Sequence, residues 1–455
     1  MKKAFKLDEI DAAVNKFHPV TPDHEFYVNF ENVRGDFQER DVLRILNVTI
    51  QNGKHVFNYQ PNRYNKTILF LAGMRGSGKT SELAKYKQHL DTPDCFFVVM
   101  CNVDDELDMD KIEYMDILIF QLEKLLKKAE ERSLDISDDI LESMQKWFEN
   151  RGKEINRTLK ADGSAEMEFG MDQPFSVGNL LGQLLGITAK IKTGLSGSSE
   201  RAETIRTNFK NRFTDFSAKF NTFIEQVNEQ LRRENKGKEI LFIVDGLEKT
   251  MSADTRQKII MEESNRIRQI KANTIFTLPI ELMKEEQRIR QFGEIITFPF
   301  IKVKERNGEP CIKAIQLFQE FVSKRIDDTL FDGEETVLLA IDYSGGSPRQ
   351  LLRILEQANW FMDVEEGVIR RANMQKAIEK LGNSIARYLE TNDFQLLKQL
   401  QKDLNEGNPI GFDSSIQNLL EKEIIFEYND GTYKRVNPLL EISKLYKHNV
   451  SEANQ

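Results

Sequence analysis

The stretch GMRGSGKT, Gly73 to Thr80, fits the pattern G-x-x-x-x-G-K-[ST] at every position. Residues of these types in this order make a phosphate cradle. Gly73, Gly76 and Gly78 let the backbone curl tightly and aim its N–H groups at phosphate oxygens. A helix expected to begin near Lys79 adds its positive N-terminal end. Lys79 is placed to reach β- and γ-phosphates, and the Thr80 hydroxyl to ligate Mg2+. Arg75, Ser77 and Ser81 complete the candidate nucleotide-binding set. The plain alternative is an ordinary glycine turn between a strand and a helix. The chain contains no Asn-Lys-x-Asp to read guanine, so the expected nucleotide is ATP.

A second stretch, EILFIVDGLEKT from Glu239 to Thr250, looks like the other half of such a site. Asp245 ends an apolar run, where an aspartate can hold the water shell of Mg2+. Hydrolysis also needs a group that orients or deprotonates water. Gly246 cannot do this. Glu248 lies three residues beyond Asp245, and a turn after the strand would aim it back at the nucleotide. The competing reading is that Glu248 only caps or decorates the helix that follows.

These residues need a scaffold that brings distant segments together. TILFLAG, CFFVVMC, EILFIVD, NTIFTLP and EIITFPFIKV are compact β-prone runs separated by helical patterns. That alternation predicts an α/β fold with a parallel sheet covered on both faces. A short helix is expected in RGDFQERDVLRIL. Between the two motifs much of the chain reads as helix. Ile205, Phe209, Phe213, Phe216, Phe220, Phe223, Val227 and Leu231 recur at spacings of three and four, one stripe on a helix of about eight turns. It is expected to face the core, with a partner-binding coiled-coil seam as the alternative. The Gly- and Ser-rich segment from Ala161 to Glu200 reads as a loop or hairpin insertion. After residue 300 the chain turns helical, with a Gly-Gly-Ser-Pro turn between two amphipathic helices. Near the end, two helices precede a hairpin closed at Asn429-Asp430-Gly431, the pattern of a winged helix.

Composition bounds the class. The chain has 455 residues, 40% apolar and 30% charged, and a net charge of −9. This suits a soluble, helix-rich protein and argues against a general nucleic-acid coat. The three cysteines form no framework, and the five histidines show no metal-ligand spacing. In the most membrane-like stretch, FSVGNLLGQLLGITAKIKTGL, the uncharged part from Phe175 to Ala189 is too short to span a bilayer. MKKAFKLDEI lacks the apolar centre of a secretion signal, so a cytoplasmic location and no membrane partner are expected.

On these motifs the chain resembles AAA+/STAND-type P-loop ATPases with a C-terminal winged helix. Its Asp245-Gly-Leu-Glu248 ending is similar to the STAND and KAP-like branches, whereas typical AAA+ members set Asp and Glu side by side. The resemblance implies a P-loop NTPase core at 61–304 carrying a helical insertion at about 105–235. It further implies a lead-in at 1–60 that packs on the core, a helical lid at 305–384 and a winged-helix domain at 385–455. By the same resemblance Thr277 matches sensor 1 and Arg349 sensor 2, and Arg34 and Gly35 would frame adenine. Arg288 and Arg290 stand where rings place a trans-acting arginine finger, though solvated helix arginines are the simpler reading.

The function expected is an ATP-hydrolysing switch with Mg2+ as cofactor. It would exchange ATP for ADP and control self-association or a heterologous effector protein, in bacterial signalling or anti-phage defence. One alternative is a DNA-handling ATPase that uses the winged helix. Its recognition helix would hold Asp413, Glu421 and Glu423 against Lys422. Its wing sets Lys434 and Arg435 against Glu427 and Asp430, a poor footprint for phosphates. A second alternative is a nucleotide-binding scaffold with negligible turnover.

Overall fold

The structure is a computed structural model. It describes all of the chain except residues 17, 62–65, 162–179, 197–198, 250–252, 363–366, 407, 409, 412, 430, 432 and 452–455. Helix α1 (Glu39–Ile45) leads into an antiparallel hairpin, β1 (Val48–Gln51) with β2 (Lys54–Phe57). The central sheet takes β3 (Ile68–Gly73), β4 (Phe96–Asn102), β5 (Glu239–Asp245), β6 (Asn273–Pro279) and β7 (Glu294–Thr297) in the order β4-β5-β6-β3-β7. All neighbours are parallel. Every residue of β5 and β6 is buried, as strands covered on both faces require. The five strands are those the apolar runs predict, the last one shorter than its run.

Helix α2 (Lys79–Leu90) follows β3 directly. The long connection from β4 to β5 holds α3 (Tyr114–Glu131), α4 (Asp138–Ala161), α5 (Leu180–Leu195), α6 (Ser199–Asn211) and α7 (Phe213–Arg233). All eight residues of the apolar stripe are buried, which settles it as core-facing. Phe220 meets Phe242 of β5 with ring centroids 6.2 Å apart. The stripe is not one helix. It breaks at Arg212, whose N–H bonds to the Phe209 carbonyl in a single tight turn. The Gly- and Ser-rich insertion also departs from the loop or hairpin expected. Residues 180–195 are helical because Leu184, Ile187, Ile191 and Leu195 share one buried face. That burial outweighs the helix cost of Gly186 and Gly194. The remainder of the insertion, 162–179, lies outside the described residues.

Helices α8 (Ile312–Ser323), α9 (Glu334–Ser344), α10 (Pro348–Trp360) and α11 (Arg371–Ala386) form a second core. Ala4, Ile10, Val14, Val28 and Phe30 belong to that core. The first residues of the chain therefore pack against helices more than 280 positions later. Next come α12 (Thr391–Glu406), α13 (Ser414–Glu421) and the antiparallel pair β8 (Ile425–Tyr428) and β9 (Tyr433–Val436), the arrangement a winged helix needs. The expected turn residue Asp430 lies outside the described residues. Arg256, 2% exposed, ties this end to the sheet layer by pairing with Glu281 at 3.0 Å and with Glu421.

The turn between α9 and α10 is the tightest junction. A Cβ on Gly346 would stand 1.5 Å from the Ile301 carbonyl oxygen, and its φ is +80°. Gly346→Ala should therefore destabilise by about 3 kcal/mol or more. Gly308 also has positive φ but open space around it, so Gly308→Ala should cost only about 1–2 kcal/mol. Urea unfolding midpoints compare the two. Equal losses would place the strain in the backbone angle and not in the junction.

Candidate functional site

Parallel pairing aligns the carboxyl ends of the strands. Gly73 pairs with Pro279, Leu71 with Thr277, and Asn102 with Asp245. Residues far apart in sequence thus meet at one sheet edge, where open α/β folds bind ligands. The loop Gly73–Thr80 leaves β3 at that edge and enters α2. Gly76 and Gly78 have φ of +80° and +98°, the left-handed region a tight cradle needs. Lys79, 3% exposed, donates to the carbonyls of Gly73 (2.9 Å) and Met74 (3.0 Å) and lies 3.6 Å from a Glu248 oxygen. The Thr80 hydroxyl lies beside the Asp245 carboxylate and acts to lower its pKa.

The spacing of Asp245 and Glu248 has a local cause. Gly246 takes φ +99°, and a Cβ there would run into the Asp104 carboxylate at 2.2 Å. Its N–H donates to Asp245 Oδ1 (2.9 Å) and to Thr277 Oγ1 (3.1 Å). This sharp turn starts a short 3-10 segment, Leu247–Lys249, that carries Glu248 back towards Lys79. Thr277 also lies beside the Glu248 side chain and acts to lower its pKa, and Arg75 donates from Nε to the Glu248 carbonyl at 3.0 Å. Four sequence-predicted residues, Lys79, Asp245, Glu248 and Thr277, are therefore brought together.

Their electrostatics differ. Burial, followed by the nearby Glu248 charge, pushes the Asp245 carboxyl up to about 6. Burial also acts on Glu248, but Lys79, its own backbone N–H and Thr277 outweigh it and hold this carboxyl below the ordinary range. Glu248 Oε2 is buried without a hydrogen-bond partner among the described residues. A cradle of loop N–H groups, a cation, a hydroxyl, one carboxylate and a second acid with one unmet oxygen fit a nucleoside triphosphate with Mg2+ and an ordered water.

The other candidates surround the loop. Arg349, at the start of α10, lies against it: a Cβ on Gly76 would meet Arg349 Cβ at 2.9 Å and Ser347 Oγ at 3.2 Å. Ser81 accepts from the Val20 N–H at 3.2 Å. Arg34 is buried beneath the loop. It donates to the carbonyls of Ser77 (2.8 Å) and Pro299 (2.8 Å) and stacks on Phe298 at 4.0 Å. Burial brings its guanidinium down to about 10. Its donors engage backbone, a staple's geometry and not that of a frame for a base. Gly35 faces Asn429 at the hairpin end. Arg288 and Arg290 are half-exposed and paired on their own segment with Glu285, Glu286 and Glu294.

Sequence reasoning missed two neighbours of the loop. Met74 is 2% exposed, and its sulfur accepts from the Glu427 N–H of β8 at 3.3 Å. A Cβ on Gly73 would meet the Phe298 carbonyl oxygen at 2.5 Å. No local pattern marks either contact, since both depend on how distant segments dock.

The strand order, the loop after β3, and the acid at the end of β5 define a P-loop NTPase fold. Among solved structures the chain is similar to a Walker-type ATPase of Pyrococcus abyssi, at 12% identity, with 83% of this chain and 90% of that one covered and a TM-score of 0.38. No protein-family model and no curated protein matches the sequence. Among the described residues, no helix is long and apolar enough to cross a membrane.

Removing Arg34 would leave two buried carbonyls unmet. Arg34→Ala should cost about 2–4 kcal/mol and weaken nucleotide binding through a loosened loop. Arg34→Lys should restore little, because one ammonium cannot both span the two carbonyls and stack on Phe298. Thermal unfolding and nucleotide titration report the two effects. Full rescue by lysine would show that charge alone matters there.

Proposed function

We propose that this chain binds ATP with Mg2+, hydrolyses it, and acts as an AAA+/STAND-type switch. The observation that carries this reading is the placement of Glu248. A turn at Gly246 sets its ionised carboxylate 3.6 Å from Lys79 with one oxygen unmet, beside Asp245. In this reading Lys79 and the loop N–H groups hold the phosphates, and Thr80 and Asp245 hold Mg2+. The ion supplies neutralising charge for the phosphate oxygens when bound. Glu248 orients a water and accepts its proton, while Thr277 keeps Glu248 aimed. Arg349 reads the γ-phosphate from the lid side.

Contacts around the loop support the switch part. The lid presses Arg349 and Ser347 on Gly76, and the C-terminal hairpin hydrogen-bonds Met74. A change in the loop with nucleotide state would be felt by both modules. The output is self-association or control of a heterologous effector, in signalling or anti-phage defence. The process rests on the resemblance alone.

The hairpin bears on the DNA-handling alternative. Lys434 is 4% exposed and paired with Glu427 at 3.3 Å, and Arg435 pairs with Glu441 at 3.7 Å. Cations held in this way are poor phosphate ligands, which favours a protein-contacting role for the module.

Three variants test the proposal. Lys79→Ala should abolish ATP binding. Glu248→Gln should keep binding and lower turnover by roughly 100-fold or more. Wild-type turnover in Glu248→Gln would remove the catalytic assignment, and no turnover in the wild type would leave the scaffold reading. Arg349→Ala should bind ATP but lose any ATP-versus-ADP difference in solution mass. If the wild type shows no such difference, control by self-association is wrong and an effector must carry the output.

A further inference from the structure

The histidines have no metal-ligand spacing along the chain, yet two of them converge in space. His55 on β2 and His89 in the last turn of α2 stack with ring centroids 5.2 Å apart and planes at 20°. Glu39, at the start of α1, faces them, and one ligand atom from each of the three lies within 4.8 Å of the others. We propose that Glu39, His55 and His89 form a site for a divalent transition metal of the zinc type, which clips α1 and the β1–β2 hairpin to the far end of α2.

Two atoms give the site its logic. His89 Nδ1 and Glu39 Oε1 face each other at 3.6 Å, beyond hydrogen-bond length. Both atoms are buried, and neither has a hydrogen-bond partner among the described residues. A tetrahedral ion bound to both at about 2.0–2.2 Å would set them about 3.3 Å apart, close to the separation seen. The ion would satisfy both atoms at once, and His55 would close in by side-chain rotation. The other Glu39 oxygen is fixed by Lys85 Nζ at 3.2 Å, which Glu82 holds in turn at 2.7 Å. This is the outer support that orients a carboxylate ligand. Burial, and next the neighbouring His89, lowers the pKa of His55 and favours the neutral imidazole a metal needs.

Two imidazoles and one carboxylate suit zinc, with water as a fourth ligand. They do not suit Mg2+, which prefers an oxygen octahedron, so this site is chemically distinct from the one at Thr80 and Asp245. The cysteines are poor competitors for zinc. Cys95 and Cys101 are buried, and burial raises their thiols, that of Cys95 to about 12.

Zinc titration of the full chain in magnesium-free buffer, followed by calorimetry, tests the proposal. One equivalent should bind, and the thermal-unfolding midpoint should rise with it. His55→Gln and His89→Gln, on separate elements, should each weaken binding by roughly 100-fold or more, since even outer-shell losses cost 10–100-fold. Both variants should unfold like the wild type without zinc, and Lys79→Ala should keep the full zinc response. Cobalt in place of zinc should give visible absorption bands that either histidine variant loses. Absence of binding at micromolar zinc, or an equivalent that survives both substitutions, would overturn the site.

Discussion

Lys79, Asp245 and Glu248 hold ionisable groups at 3%, 1% and 5% exposure at one end of one sheet. An unpaired charge so placed would cost about 3–5 kcal/mol, a large share of a domain's net stability. The cluster persists because every member has partners: two carbonyls and Glu248 for Lys79, an N–H and the Thr80 hydroxyl for Asp245, Lys79 and Thr277 for Glu248. Nearly everything else in the core serves that pairing. The strand order brings β6 between the two motif strands so that Thr277 can serve both Gly246 and Glu248. The positive φ of Gly246 turns the chain so that an acid three residues beyond Asp245 stands 3.6 Å from Lys79.

The loop is gripped from several sides by parts of the chain that have no common local origin. Arg34 comes from the segment before α1, the Phe298 carbonyl from the exit of β7, Arg349 from the start of α10 and the Glu427 N–H from β8. Each grip uses backbone or a short rigid contact, which leaves the loop little freedom to move without moving its neighbours. Interiors packed in this way respond in discrete steps and not by gradual deformation.

Much of this was legible where the signal is local. A buried parallel strand is a short apolar run, and five such runs gave the five strands. The phosphate loop is contiguous, so Gly73 to Thr80 could be read directly. Periodicity misled where phase survives a break. Phe209 and Phe213 stay four apart across Arg212, so one tight turn leaves the stripe unchanged while ending a helix. Glycines misled at Leu180–Leu195, where tertiary burial overrides propensity. Arg34 could be placed near the loop, but not its bond to Ser77. That bond, the docking of β8 on Met74 and the meeting of His55 with His89 all arise from packing between segments that sequence spacing does not connect.

The seating of Ala4, Ile10, Val14, Val28 and Phe30 among α8–α11 has a consequence for synthesis. Their partners in that core begin at Ile301, so roughly 270 residues must be added before those contacts can form. At ribosomal speeds of about 5–20 residues per second, that is a wait on the order of tens of seconds. Meanwhile Ile10, Val14, Val28 and Phe30 are made without the helices that cover them. The β-strands of the sheet must also wait for the whole helical insertion before β5 can join β4. Helices α8–α11 thus complete the burial of residues made more than 280 positions earlier.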